Sequence, residues 1–439
     1  MRGISVLVLT VYLADYLGLV KGLKDCFKVA DAPNIVKLKD LDCLEVIQKI
    51  NNNIGISITE KVLGAGSFGV VLKCNKKSGN SKDKIAMKIV KYAHGKKYNQ
   101  EQLNKLGESD VEDIERELKL FEALKYGSSL YIPNYYGCVH DESQKLVYVI
   151  QEQLDKPLED FVDTKEIPKE YSAFIQFLRQ KDFERTLGIM LQMAIGVKII
   201  HENGYGHFDL KPDNFMVKEE NNFIITKVVD FGLSLPLNED PKNNSEGVRG
   251  TPLFMDPLWV KEKRSASPLN DVYSLGMTYM NILYGEKYAD LDIENSNNTA
   301  FIKAAVKRNN EHNKLFDEIH DMYTKNVDKN TEENNLLLRL VNMLNDQIDM
   351  MLNEKTDQRL DEVIIGLDTI LRIFNKESIY LPEKAKKLHL NVYGSTWKRS
   401  KDLIPKFLYK MLPKDVLESI PLQNKPKAMN QNNINKIII

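Results

Sequence analysis

Within "HFDLKPDN", at 207–214, Asp209, Lys211 and Asn214 place a carboxylate, an ammonium and a carboxamide inside six positions. Sixteen residues beyond Asn214 comes Asp230, at the head of Asp230-Phe231-Gly232 and behind the apolar run "FIITKVV". These residue types can divide one reaction among them. Asp209 can accept a proton from a hydroxyl, Lys211 can offset phosphate charge, and the oxygens of Asn214 and Asp230 suit a hard divalent cation such as Mg²⁺. Transfer of a phosphoryl group needs little else from a protein: in-line positioning, cations on the phosphate oxygens, and an acceptor for the hydroxyl proton.

A phosphate-holding stretch stands upstream. "VLGAGSFGVVLK" sets Gly64, Gly66 and Gly69 in GxGxxG spacing, with Leu63, Ala65, Ser67, Phe68, Val70 and Val71 around them. A dinucleotide-binding fold uses the same spacing, but there a helix follows the glycines and receives the pyrophosphate on its N-terminus. Here Val70-Val71-Leu72 follow, so the glycines are expected on a β-hairpin whose backbone N–H groups can approach phosphates closely. No GxxxxGK[ST] string is present. Lys88, in "IAMKIV", is a strand lysine flanked by apolar residues, a costly position unless anions meet the ammonium. Phosphates are one such anion. Glu117, in "RELKLFEAL", is the expected carboxylate partner, with Glu112, Glu115 and Glu122 as competing choices.

These residues need a scaffold, and its elements are partly visible. Short β-branched runs ("ISITEKVLG", "GVVLKC", "KIAMKIV") predict strands between Ile56 and Lys91, and "KLVYVIQEQL" predicts another at 145–154. Ser109-Asp110-Val111-Glu112 reads as a capping box. Val111, Ile114, Leu118, Phe121 and Leu124 continue at helical spacing until Gly127. Beyond Leu154 long helical periodicity is expected at 183–202, 270–284, 333–352 and 359–374.

The chain has 439 residues, 43% of them hydrophobic and 28% charged, with a formal net charge of −1. That balance gives no basic field for nucleic acid, and none is expected as a partner. The run Ile4–Ala14 is shorter than the ~20 residues a membrane-spanning helix requires. It suits the core of a secretory signal, placed at 1–22 with cleavage near Ala14 or a few residues later; the alternative is a helix of a cytoplasmic protein. Residues 23–55 read as an extension, and 376–439 as a basic tail with 13 Lys+Arg against 5 Asp+Glu. The four cysteines, Cys26, Cys43, Cys74 and Cys138, lack zinc-site spacing. In an oxidising compartment Cys26 and Cys43 are expected to pair, with Cys74 as buried packing.

The ordered set from Gly64 to Gly232 resembles the eukaryotic protein kinase family. The likeness runs over about 56–375, as an N-lobe at 56–154 and a C-lobe at 155–375. It implies an α+β, two-lobed fold, the first lobe mainly β with one helix and the second mainly α. ATP would lie in the cleft with Mg²⁺, Glu152-Gln153-Leu154 would be the hinge, and Gln151 the gatekeeper. Within the resemblance Asp209 is the catalytic base, Lys211 and Asn214 complete the catalytic loop, and Asn214 with Asp230 hold the metal. The "DLKPDN" lysine and the Gly250-Thr251-Pro252 segment look like the Ser/Thr branch, so the implied substrate is a Ser/Thr hydroxyl of a protein. Thr251 would pack beside Asp209 and Lys211, and Asp271 in "DVYSLG" would brace the catalytic loop. Two positions depart from the pattern. Phe208 stands where the family has the arginine that pairs with an activation-segment phosphate, and Leu258 stands where it has a glutamate, whose usual partner would be Arg359. Neither belongs to the transfer machinery, so an active enzyme is expected. The alternatives are a pseudokinase acting as an ATP-binding or allosteric module and, more remotely, a small-molecule kinase.

Overall fold

The computed structural model describes residues 27–28, 62–66, 69–74, 85–91, 111–125, 130–141, 146–161, 168, 170–180, 183–220, 223–237, 250–262, 266–285, 298–326, 331–353 and 360–374. The chain forms two compact units, one of residues 1–122 with 134–153, the other of 123–133 with 154–439.

The first unit is built on a six-stranded sheet ordered β1-β5-β6-β4-β3-β2. Its strands are β1 Phe27–Lys28, β2 Val62–Gly66, β3 Gly69–Cys74, β4 Ile85–Lys91, β5 Tyr135–Asp141 and β6 Leu146–Glu152. The pairings from β2 to β6 are antiparallel, whereas β1 adds to β5 in parallel. β1 comes from the segment that the sequence reads as an extension. Central strand β4 is buried at six successive positions, Ile85 to Val90, as expected of a strand covered on both faces. Met87, Ile89, Leu72 and Tyr148 form the best-buried part of this core. Helix α1, Val111–Lys125, presents Ile114, Leu118 and Phe121 at i, i+4 and i+7, and Phe121 stacks on Tyr135 with ring centroids 5.0 Å apart. The capping residues Ser109 and Asp110 lie outside the described residues.

Cys74 and Cys138 are 1% exposed and each is disulfide-bonded. This corrects the expectation that Cys74 is only a packing thiol. Cys26 and Cys43 lie outside the described residues.

The second unit is mainly helical. Its described helices are α2 Tyr171–Gln180, α3 Phe183–Glu202, α4 Pro257–Glu262, α5 Pro268–Tyr284, α6 Asn298–Asn326, α7 Glu332–Leu352 and α8 Leu360–Phe374. α3 and α5 are buried almost all round and form the centre. α5 starts where Ser267 accepts a bond from Leu269 N–H, Asn270 returns one to Ser267 N–H, and Pro268 sits at the first helical position. Two small sheets complete the unit: β10-β9-β7 (Phe223–Val228, Phe215–Glu220, Lys156–Pro157) and β11-β8 (Leu235–Pro236, Tyr205–Gly206). Among the described residues no helix is long and apolar enough to cross a membrane. The apolar run at 4–14 and the tail at 376–439 lie outside the described residues.

Candidate active site

The candidate catalytic residues are set by what holds the chain between α3 and β9. After α3, Gly204 turns the chain at φ +82°, and β8 leads into His207. The fully buried carboxylate of Asp271, on α5, fixes the next step. It accepts from His207 N–H at 2.7 Å, from Phe208 N–H at 2.8 Å, and bonds His201 Nε2 at 2.8 Å. Burial pushes the Asp271 carboxyl up, but the bond and charge of His201 and the His207 N–H bond outweigh it and hold it below the usual carboxylate range. His207 Nδ1 accepts from Asp209 N–H at 3.3 Å, so its ring proton is on Nε2, donated to Val229 C=O at 3.0 Å.

Asp209 is held from both sides. Its Oδ1 accepts from Thr251 N–H at 2.9 Å and from Thr251 Oγ1 at 2.6 Å. Its Oδ2 accepts from Asn214 Nδ2 at 2.9 Å, with Lys211 Nζ 3.3 Å away. Lys211 also donates to Thr251 Oγ1 at 2.9 Å, so one hydroxyl ties carboxylate and ammonium together. Gly250, at φ +117°, allows this approach: a Cβ there would stand 2.5 Å from the Phe208 carbonyl oxygen.

Asn214 and Asp230 lie sixteen residues apart and are brought together by the β9–β10 hairpin. Phe215 pairs with Val228, and Val229 N–H donates to Asn214 C=O at 2.9 Å, so the two residues flank one end of the ladder. Asn214 spends its amide hydrogens on the carbonyl and carboxylate of Asp209, which turns its own oxygen to other use. Asp230 is a non-glycine residue at φ +61°, a conformation with a steric cost that recurs at functional positions. The Phe231 ring is buried edge-on to His207, 5.7 Å between centroids.

Phe208, the departure from the family pattern, is also at φ +61° and is 3% exposed. Its ring lies against Trp259, 5.1 Å between centroids, in a cluster with Leu235 and Met255. It covers Gly206 so closely that a Cβ there would meet the ring at 2.3 Å. The sequence showed the missing arginine but not this apolar seat. The only signal was a glycine two positions before Phe208 and a tryptophan far along the chain. Leu258 is buried, and Arg359 lies outside the described residues. The segment is instead tied to α5 by Asp256, whose Oδ1 accepts from Leu258 N–H at 2.8 Å and whose Oδ2 accepts from Asn270 Nδ2 at 3.0 Å.

In the first unit, β2 and β3 form the expected hairpin with Gly66 opposite Gly69. Gly69 has φ +144°, and a Cβ there would stand 2.4 Å from the Ile89 carbonyl oxygen. Leu63 and Gly64 are exposed, Ala65 lies within β2, Val70 is buried and Val71 half-buried; Ser67 and Phe68 lie outside the described residues. Lys88 sits mid-strand opposite Val71 and Val149, and its Nζ is 2.8 Å from Glu117 Oε1, both side chains being at most 10% exposed. Glu115 and Glu122 are half-buried. Glu152 ends β6, with its N–H donated to Asn134 C=O at 2.8 Å and its Oε2 accepting from Asn134 N–H at 3.1 Å. Leu154, buried, belongs to the second unit.

Known proteins match the chain in sequence. The family model described as protein kinase domain matches residues 58–366. The serine/threonine-protein kinase KIC1 of Saccharomyces cerevisiae is 27% identical over 53% of this chain and 18% of its own length. Serine/threonine-protein kinase atg1 of Dictyostelium discoideum is 25% identical over 53% of this chain and 31% of its own length. Serine/threonine-protein kinase dkf-1 of Caenorhabditis elegans is 24% identical over 50% and 26%. The chain thus spans less than a third of the length of these curated relatives. With a family match over most of its length, a strand-rich unit bearing the Lys88–Glu117 pair and a helical unit bearing the Asp209 loop, the chain belongs to the protein kinase family.

Proposed function

We propose that the chain is an ATP-dependent protein serine/threonine kinase, with its catalytic domain at 56–375. The observation that carries this reading is the Asp209 carboxylate, held by Thr251 N–H, Thr251 Oγ1 and Asn214 Nδ2 with Lys211 at its side. A pseudokinase has no need of a fixed carboxylate with an ammonium beside it.

The residues fit the nucleotide and metal that the family uses. The Lys88–Glu117 pair is a buried ammonium already oriented, and Gly64, with nothing within 4 Å of where a Cβ would stand, leaves open space beside the hairpin backbone. Asn214 and Asp230 offer oxygen donors, the set a Mg²⁺ ion accepts. Mg-ATP, when bound, supplies the transferable γ-phosphoryl group and the cationic charge that offsets its oxygens. The backbone around Glu152 and that around Leu154 would each offer hydrogen-bonding groups to the base. Asp209 accepts the proton of the Ser or Thr hydroxyl as that oxygen forms its bond to phosphorus. Lys211 offsets charge on the moving phosphoryl group, and Thr251 keeps Lys211 and Asp209 in register. Phe208 and its apolar seat take the place of a phosphate–arginine latch on the segment 250–259.

The test is phosphate transfer from Mg-ATP to a peptide array and a generic protein, beside Asp209→Asn. The expected result is labelling of Ser and Thr by the wild type, none by the variant, and ATP affinity within about threefold between them. Absence of transfer by the wild type with retained Mg-ATP binding moves the reading to a pseudokinase. Transfer only to small hydroxylated molecules moves it to a small-molecule kinase.

A further inference from the structure

Cys74 on β3 and Cys138 on β5 are both buried and both disulfide-bonded, and the chain contains only two other cysteines, Cys26 and Cys43. The sheet order decides the partners. Between β5 and β3 lie β6 and β4, three inter-strand steps in all, or ~14 Å across the sheet. The register adds to that separation. Cys138 stands opposite Val149, Val149 opposite Lys88, and Lys88 opposite Val71, three residues and ~10 Å along the strand from Cys74. A disulfide requires Cα atoms within about 7 Å. Cys74 and Cys138 therefore do not pair with each other, and each takes its partner from the chain ahead of the hairpin.

The parallel strand β1 assigns them. Phe27 stands opposite Val139 and Lys28 opposite His140. Phe27 follows Cys26 in the sequence and Val139 follows Cys138, and the strands of such a pair lie ~4.8 Å apart, so Cys26 is the cysteine within reach of Cys138. Cys43 is left for Cys74. We propose that two disulfides, Cys26–Cys138 and Cys43–Cys74, fasten the segment ahead of the kinase domain onto its sheet, and that the chain acquires them on a secretory route. The proposal does not depend on the enzyme being active.

Each bridge forms by thiol–disulfide exchange with a protein disulfide oxidoreductase. One cysteine thiolate attacks the oxidoreductase disulfide, and the second displaces the resulting mixed disulfide. One S–S bond is made for one broken, and the two electrons and two protons pass to the oxidoreductase, which leaves as a dithiol. A cytosolic thiol pool works against such bonds, whereas the secretory lumen maintains them. The apolar run at 4–14 would provide entry to that route. The pairing of Cys26 with Cys43, suggested by their common place ahead of the fold, gives way to bridges that cross from that segment into the sheet.

The experiment is a disulfide map of the full chain taken from the cells that make it, with thiols blocked by N-ethylmaleimide at lysis, digested without reduction and read by mass spectrometry. The expected result is two linked peptides, 26 with 138 and 43 with 74, both lost on reduction, and no blocked cysteine. A 26–43 or 74–138 peptide, the crossed set, or a cysteine blocked before reduction overturns the pairing. The same digest reads the mature N-terminus. A start beyond residue 14 supports the secretory route, and an intact Met1 overturns it. Because the map needs no phosphate transfer, it can fail while the kinase reading stands, and the reverse.

Discussion

Phe208→Ala tests whether an apolar seat holds the catalytic loop where the family uses an arginine and a phosphate. The ring is 3% exposed and touches Trp259, Leu235, Met255 and the face of Gly206. Truncating a phenylalanine so buried costs about 3–5 kcal/mol, the spread depending on how far the surroundings close in. Gly206 cannot fill the gap, and Trp259 is held in its own helix. For a domain of this size the loss lowers Tm on the order of 5–10 °C. The catalytic effect passes through the neighbouring segment. Gly250 abuts the Phe208 carbonyl, and Thr251 gives Asp209 two charge-assisted bonds of ~1.5–3 kcal/mol each. Loosening that contact by the worth of one bond lowers kcat by about 10- to 100-fold. KM for ATP should hold, because the hairpin and Lys88–Glu117 pair belong to the other unit. Scanning fluorimetry and steady-state peptide phosphorylation read the two quantities. Phe208→Leu serves as the control, keeping most of the apolar area and most of the activity. A double-mutant cycle with Trp259→Ala should show coupling of 0.5 kcal/mol or more, roughly the threshold for residues in contact. If Phe208→Ala keeps wild-type Tm and kcat, or if Phe208→Arg is as stable as the wild type, the apolar latch is not what holds this loop.

Thr251→Val removes the hydroxyl that bridges Asp209 and Lys211 while keeping shape, and should lower kcat about 10-fold or more with little change in Tm; Thr251→Ser should restore most of the rate. Asp271→Asn turns an amide N–H₂ toward the donor at either His207 or Phe208 and should cost about 3 kcal/mol or more in urea unfolding, since it breaks a buried charged network. The Asp271 carboxyl is held below its ordinary range, so its stabilisation is complete above the unfolded value of about 3.9 and lost as pH falls through the lower folded value. The stability gap between wild type and Asp271→Asn should therefore not narrow from pH 7 to 5 and should narrow below about pH 4; a gap that narrows between pH 7 and 5 would contradict the assignment. Glu117→Gln leaves the Lys88 ammonium buried without a counter-charge and should raise KM for ATP about 10-fold or more, measured by nucleotide titration, while the second unit's Tm transition stays in place.

How far such a site can be read from sequence depends on how local its cause is. The hairpin under Gly64 and Gly69 was legible because Val70-Val71-Leu72 follow the glycines directly. The Asn214–Asp230 pairing was read from the residue types and the family resemblance, whereas the β9–β10 hairpin that joins them was not, because beyond Leu154 the chain reads as mostly helical. Helix α6 was not, although its buried positions Phe301, Ala305, Arg308, His312, Leu315 and Ile319 keep a helical period. Two of those six are polar, so a search for apolar periodicity loses the pattern in the middle. Arg308 is buried because it serves the segment, donating to Leu253 C=O and, at 3.2 Å, to the Tyr273 hydroxyl. β5, "YYGCVHD", was missed for a similar reason: its burial is nearly continuous and does not alternate. The cysteine partners depend on strand order, which no spacing encodes.

The two departures from the family pattern, read singly as losses, share one physical consequence. Phe208 removes an arginine that would bind a phosphate, and Leu258 removes a glutamate that would bind an arginine. Both positions are now buried and apolar. Among the described residues, ties on 250–259 include the Phe208–Trp259 contact, Thr251 on Asp209, Asp256 on Asn270 and Arg308 on a backbone carbonyl. None of these pairs two opposite charges across the segment. Ties of this kind, by packing and by charge-to-neutral bonds, change little with added salt, because salt does not alter the area they bury.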